Sequence, residues 1–169
     1  MKVAIIIAVT LFIVLFVVIA IVDVKIIKNR KKAGEQTYYA LQIARNQTNC
    51  MLNAKQRVSW LNQYFFWYYD QGGKNSDSTN QISQYMQEYF ALANGFDSAM
   101  NKWKKALSDT RYELSNLVIA QNKAGGVNIM AYSVYDNERD YNELLRVYEN
   151  YDKPIFEERF LQIARSYSS

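Results

Sequence analysis

The hydrophobic pattern changes character a short way into the chain. Residues 3–22 read VAIIIAVTLFIVLFVVIAIV, with Thr10 the single polar side chain and no charge. The stretch is apolar on every side, so it has no face meant for water. At ~1.5 Å per residue a helix of this length covers about 30 Å, the thickness of a bilayer's hydrocarbon core. The pattern predicts a single N-terminal transmembrane helix. A cleaved signal peptide would have an apolar region of only ~7–15 residues closed by a small-x-small site. Here Ala20 is followed by Ile21, Val22, Asp23 and Val24. A filament subunit laid out like a type IV pilin would lose a charged leader and carry a Glu early in the apolar run, and neither feature is visible. Ala4 and Ala8 form a small-xxx-small pair that would let helices approach closely, a motif common by chance.

Beyond residue 34 the pattern switches to a helical period. Leu41, Ala44, Thr48, Met51, Ala54, Val58, Leu61, Phe65 and Tyr68 recur in 3-4 steps and predict a long amphipathic helix over residues 35–69, entered from the apolar stretch with a modest break near Gly34. Residues 70–80, DQGGKNSDSTN, read as a surface loop, with Ser78 or Thr79 capping the second helix. The second periodic run is Ile82, Met86, Tyr89, Ala93, Phe96, Met100, Trp103, Leu107, Thr110, Leu114, Leu117 and Gln121; it tolerates Gly95 and closes at Gly125-Gly126. A third helix is expected over 129–150 through Val134, Tyr141, Leu145 and Tyr148. Pro154 should open a short last helix with Ile155, Phe160, Ile163 and Tyr167 on one side. The expected fold is all-α: a membrane anchor with its flank over residues 1–33, then an elongated, coiled-coil-like antiparallel bundle of long helices over 34–169.

Charge sharpens this division. Residues 1–33 carry six Lys or Arg against one Asp, and the rest fourteen against fifteen acidic residues, so the overall +4 belongs to the membrane flank. Lys25, Lys28, Arg30, Lys31 and Lys32 come directly after the apolar stretch. Lys and Arg stay preferentially on the cytoplasmic side of a span, which implies an outside N-terminus and a cytoplasmic C-terminal domain. The same cluster is either a solvated flank or an attractor for anionic headgroups. The remaining domain has no basic face of the kind nucleic acid requires; Lys102, Lys104 and Lys105 read as a solvated helix face.

Candidate chemistry is sparse. The chain has no His, which removes imidazole-based catalysis and imidazole metal sites, and its one cysteine, Cys50, has no internal partner. Asn46-Gln47-Thr48 matches a glycosylation sequon but falls inside an expected helix on the cytoplasmic side, and reads as chance. No phosphate-binding or dinucleotide loop is present. Carboxylates such as Glu138, Asp140, Glu143, Glu157 and Glu158 lie at helical spacings beside Arg139, Arg146 and Arg159, as surface ion pairs do. No enzymatic activity, cofactor, metal or small-molecule substrate is expected.

The second unusual feature is Tyr64, Phe65, Phe66, Trp67, Tyr68 and Tyr69, six aromatics in a row. Successive helical residues are ~100° apart, so six of them point in every direction, and one core face takes only two or three. The others must meet a second helix layer, a partner chain or a membrane. Tyr and Trp favour interfaces, which makes this segment the candidate partner contact.

The layout resembles that of LemA-family proteins, with an outside N-terminus, one span and a cytosolic helical bundle. Arg139-Asp140-Tyr141-Asn142, with Leu145 and Tyr148 after it, is similar to the Tyr-Asn pattern of that family's C-terminal helix. The family's Leu-Ile-Pro-Asn segment has no counterpart, so the likeness is one of architecture and not of membership. The functional expectation is a non-enzymatic single-pass membrane protein serving as a structural or scaffolding subunit of a membrane assembly. Its partners would be the lipid bilayer and other subunits or further copies of itself. Two alternatives remain: a virion or pilus-like filament subunit whose apolar helix packs in a protein core, and a phage lytic or channel-associated membrane protein whose domain faces outward.

Overall fold

The computed structural model describes residues 2–71, 77–125 and 132–167. Among them the protein is all-α, with no strand. The helices are α1 (Lys2–Asp70), α2 (Asp77–Lys123), α3 (Val134–Glu149) and α4 (Glu158–Tyr167). The first part of α1 is long and apolar enough to cross a membrane. α1 passes Gly34 without a break, contrary to the sequence expectation. Gly34 serves a different purpose: a Cβ there would collide with the Tyr132 ring, so the missing side chain is what lets that ring lie on the helix backbone.

By internal contact the chain forms two compact units. The first is Met1–Gln42 with Ser108–Glu143. In it α1 and α2 run antiparallel: Arg30 meets Gln121, and Thr37, further along α1, meets Glu113, further back on α2. Its interior mixes small, polar and large apolar positions. Ala33, Thr37, Thr110, Leu114, Leu117 and Tyr141 are buried. The Thr37 hydroxyl lies within hydrogen-bond distance of the carbonyls of Ala33 (2.9 Å) and Glu113 (3.0 Å), so a buried hydroxyl finds its acceptors in backbone.

The second unit is Ile43–Leu107 with Leu144–Ser169. Here too the pairs descend along one helix as they climb the other, Thr48 against Trp103 and Phe65 against Tyr85. Leu61, Phe65, Ile82, Tyr85 and Tyr89 form a core that α4 completes with Phe160, Ile163 and Ala164. Phe160 is its centre, 4.3 Å from Phe65 and 4.4 Å from Tyr89 between ring centroids. Trp103 is fully buried. Its indole N–H donates to Thr48 Oγ1 (2.9 Å), whose hydroxyl donates to the Ala44 carbonyl (2.8 Å). Tyr148 and Tyr151 pack edge-on to the indole, each with centroids 5.0 Å away.

Several helix ends differ from the sequence reading. α2 begins at Asp77, so Thr79 lies within its first turn and does not cap it; the Gly72-Gly73 pair of the expected loop lies outside the described residues. α2 ends at Lys123 with Gly125 at φ +62°, a left-handed closure that glycine adopts without strain, while Gly126 lies outside the described residues. α3 starts later than 129 because Ser133 caps it: its Oγ accepts from the Asp136 N–H at 3.3 Å. Pro154 does not open the last helix. Residues 151–157 are irregular, which lets Phe156 reach the rings of Tyr89 (5.1 Å) and Phe96 (5.7 Å), and leaves Ile155 80% exposed instead of on the core side.

Candidate functional site

The apolar stretch is where the chain leaves the most unexplained surface. Every large apolar side chain described from Ile5 to Val24 is 48–71% exposed, and none is covered by another described part of the protein. Thr10, its one polar residue, returns its hydroxyl to the Ile6 carbonyl at 2.9 Å and so presents no free donor.

The basic flank divides in two. Lys25, Lys28, Lys31 and Lys32 are exposed, Lys31 lying 3.9 Å from Glu35. Arg30 is fully buried. Its Nε donates to Gln121 Oε1 and its Nη2 to the Tyr132 carbonyl at 2.5 Å, while Nη1 has no hydrogen-bond partner among the described residues. Burial pushes its pKa down from the ordinary arginine value. Arg30 therefore works inside the first unit, its charged guanidinium held away from the surface. Its helical phase gives this away: Arg30, Ala33, Thr37, Leu41 and Ala44 continue the buried 3-4 stripe backwards towards the apolar stretch.

The six aromatics separate by role. Phe65 is buried at the centre of the second unit. Tyr69 is half-buried and stacks on Phe65 (6.3 Å), and Tyr68 is half-buried beside Tyr85 (6.4 Å). Phe66 is half-buried under the Arg159 guanidinium, 4.8 Å from its ring, and Arg159 is 3.4 Å from Asp70. Tyr64 and Trp67 are left outward, 37% and 57% exposed. Trp60, also 57% exposed, extends them: its ring stacks on Tyr64 at 5.2 Å, and Tyr64 is 5.6 Å from Trp67. The exposed aromatic stripe is thus Trp60, Tyr64 and Trp67, at i, i+4 and i+7. That spacing was readable in the sequence but was hidden by the more conspicuous run of six.

Chemical groups beyond these are few. Among the described residues no three His, Cys, Asp or Glu side chains stand together in the manner of a metal site. Cys50 is exposed. The hydroxyls of Tyr89 and Tyr151 are buried without a partner, and burial raises both pKa values, with Glu158 and Glu157 adding to the effect at Tyr89. Compared with protein-family models, with curated proteins and with solved structures, the chain matches none.

Proposed function

We propose that this is a non-enzymatic single-pass membrane protein whose helical domain serves as a structural or scaffolding subunit of a membrane-associated assembly. The observation that carries the reading is the uncovered apolar stretch. Each of its large side chains forgoes roughly 1.5–3 kcal/mol if left in water, a total on the order of tens of kcal/mol, so something outside this chain must cover it. A bilayer matches it in length and in being apolar on all sides. The four exposed flanking lysines support a cytoplasmic domain. The outward stripe of Trp60, Tyr64 and Trp67 supports a contact with another subunit, since large aromatics left in water are typical anchors of interfaces.

The test is to purify the full chain from its own membrane in mild detergent, weigh the assembly and identify every chain that comes with it. Resistance of the chain to carbonate washing and a large complex of fixed stoichiometry are expected. Ordered assembly without lipid or detergent would overturn the anchor in favour of a filament subunit. A detergent-bound monomer would overturn the scaffold role.

A further inference from the structure

We infer that the first unit carries a binding cleft for the phosphate headgroup of an anionic glycerophospholipid, between α1 and α2 just beyond the apolar stretch. This rests on the membrane reading above. The cleft encloses about 210 Å³ and is lined by Ile26, Asn29, Asn116, Ile119, Ala120 and Lys123. Ile26 lies four residues past Val22, or ~6 Å along the helix, which is headgroup depth if the apolar stretch fills the hydrocarbon core.

The lining has the two-sided chemistry of a lipid's polar end. Ile26 and Ile119 offer aliphatic surface, Ile119 being 51% exposed. Asn29 and Asn116 offer amides and Lys123 an exposed ammonium. Further cations gather on the same side. Lys25 and Lys32 stand four before and three after Asn29, within about 60° of it around the helix, whereas Lys28 and Lys31 are about 100° and 160° away. Two acids stand beside the cleft, and the Asn116 amide already donates to one of them. Asp23 is about 120° from Asn29 but about 60° from Ile26, one turn before it. Glu113 lies one turn further from the apolar stretch on α2, where its Oε2 is 3.4 Å from Asn116 Nδ2. Arg30 keeps its charge but is buried against Gln121 and Tyr132, outside the cleft's lining. Lys25, Lys32 and Lys123 outnumber Asp23 and Glu113 around the cleft, leaving a net positive charge at the level where a phosphodiester would meet it with aliphatic surface beside it.

The test uses the full chain in nanodiscs of phosphatidylcholine mixed with a minority of phosphatidylglycerol, reading by native mass spectrometry which lipids stay bound on release. The wild-type chain should retain phosphatidylglycerol above its share of the bilayer. Lys25→Gln with Lys123→Gln should lose about fivefold in that preference for each lysine removed. Lys28→Gln with Lys31→Gln, the same charge loss on the other side, should keep it. Equal loss in both pairs would overturn the cleft in favour of diffuse attraction, and so would retention of the two lipids in their bulk ratio. Binding of inorganic phosphate to the detergent-solubilised chain, abolished by Lys123→Gln, would replace the lipid with a free anion. Flotation with vesicles of phosphatidylcholine alone separates the two readings. Flotation without phosphatidylglycerol preference leaves the anchor and removes the cleft; failure to float removes both.

Discussion

Buried polar side chains in the second unit obey two opposite rules. Trp103 and Thr48 form a completed chain, indole to hydroxyl to the Ala44 carbonyl, with no donor left over. Thr48→Val keeps the shape and strands the indole N–H, so it should weaken the fold by about 1–3 kcal/mol in urea melts, and Thr48→Ser by less. Tyr89 is the converse, a buried hydroxyl with no partner. Tyr89→Phe removes a desolvated group and should leave stability at neutral pH unchanged or raise it by up to ~1 kcal/mol. The pH dependence differs too. The folded pKa of Tyr89 is raised above the ordinary 10.0. Above pH 10 the unfolded chain releases that proton while the folded one still holds it, so stability falls as pH rises through this window. Tyr89→Phe should show a shallower decline in melts above pH 10 than the wild type. The periodic pattern identifies Thr48, Tyr89 and Trp103 as inward positions. Which hydroxyl meets which indole depends on how two helices register, and no single stretch of sequence contains that.

At the scale of elements, the two mid-helix glycines make a controlled comparison. A Cβ at Gly34 would overlap the Tyr132 ring, whereas at Gly95 nothing lies within 4 Å. Gly95→Ala should stabilise by about 1 kcal/mol through helix propensity. Gly34→Ala gains the same propensity but must displace Tyr132, a strain of about 1–3 kcal/mol, so its net effect should be destabilising. Adding Tyr132→Ala should remove the penalty of Gly34→Ala, and thermal melts of the double variant would check it. The helices were legible because their 3-4 period extends over many turns, and their ends were less so. Ser133-Val134-Tyr135-Asp136 is a capping signal that fixes the start of α3 but occupies a few residues inside a longer apolar pattern. Pro154 fits a helix start by local rules, and the packing of Phe156 against Tyr89 and Phe96 outweighs them.

At the scale of the whole molecule, the apolar stretch was the plainest signal in the sequence, and α1 carries it without interruption into the helical units. The basic flank was legible as charge, but the inward turn of Arg30 was not, because it takes Gln121 and the Tyr132 carbonyl, both far away in sequence, to bury it. The aromatic run was legible as an oddity. Its division into core and outward residues required α4, which closes over Phe65. Topology can be tested with a native probe, since Cys50 is exposed and is the only cysteine. With a cytoplasmic domain, a membrane-impermeant maleimide should leave Cys50 unmodified in intact cells and label it after permeabilisation. Labelling in intact cells would put the domain outside.

All three tryptophans, Trp60, Trp67 and Trp103, lie in the second unit. Tryptophan fluorescence, excited at the red edge where tyrosine does not absorb, is therefore blind to the first unit, whereas circular dichroism registers both. If the two units melt as one, the two signals share a midpoint. If they do not, tryptophan emission tracks only the second unit, and the melting of the first unit shows as a change in ellipticity with no matching change in emission.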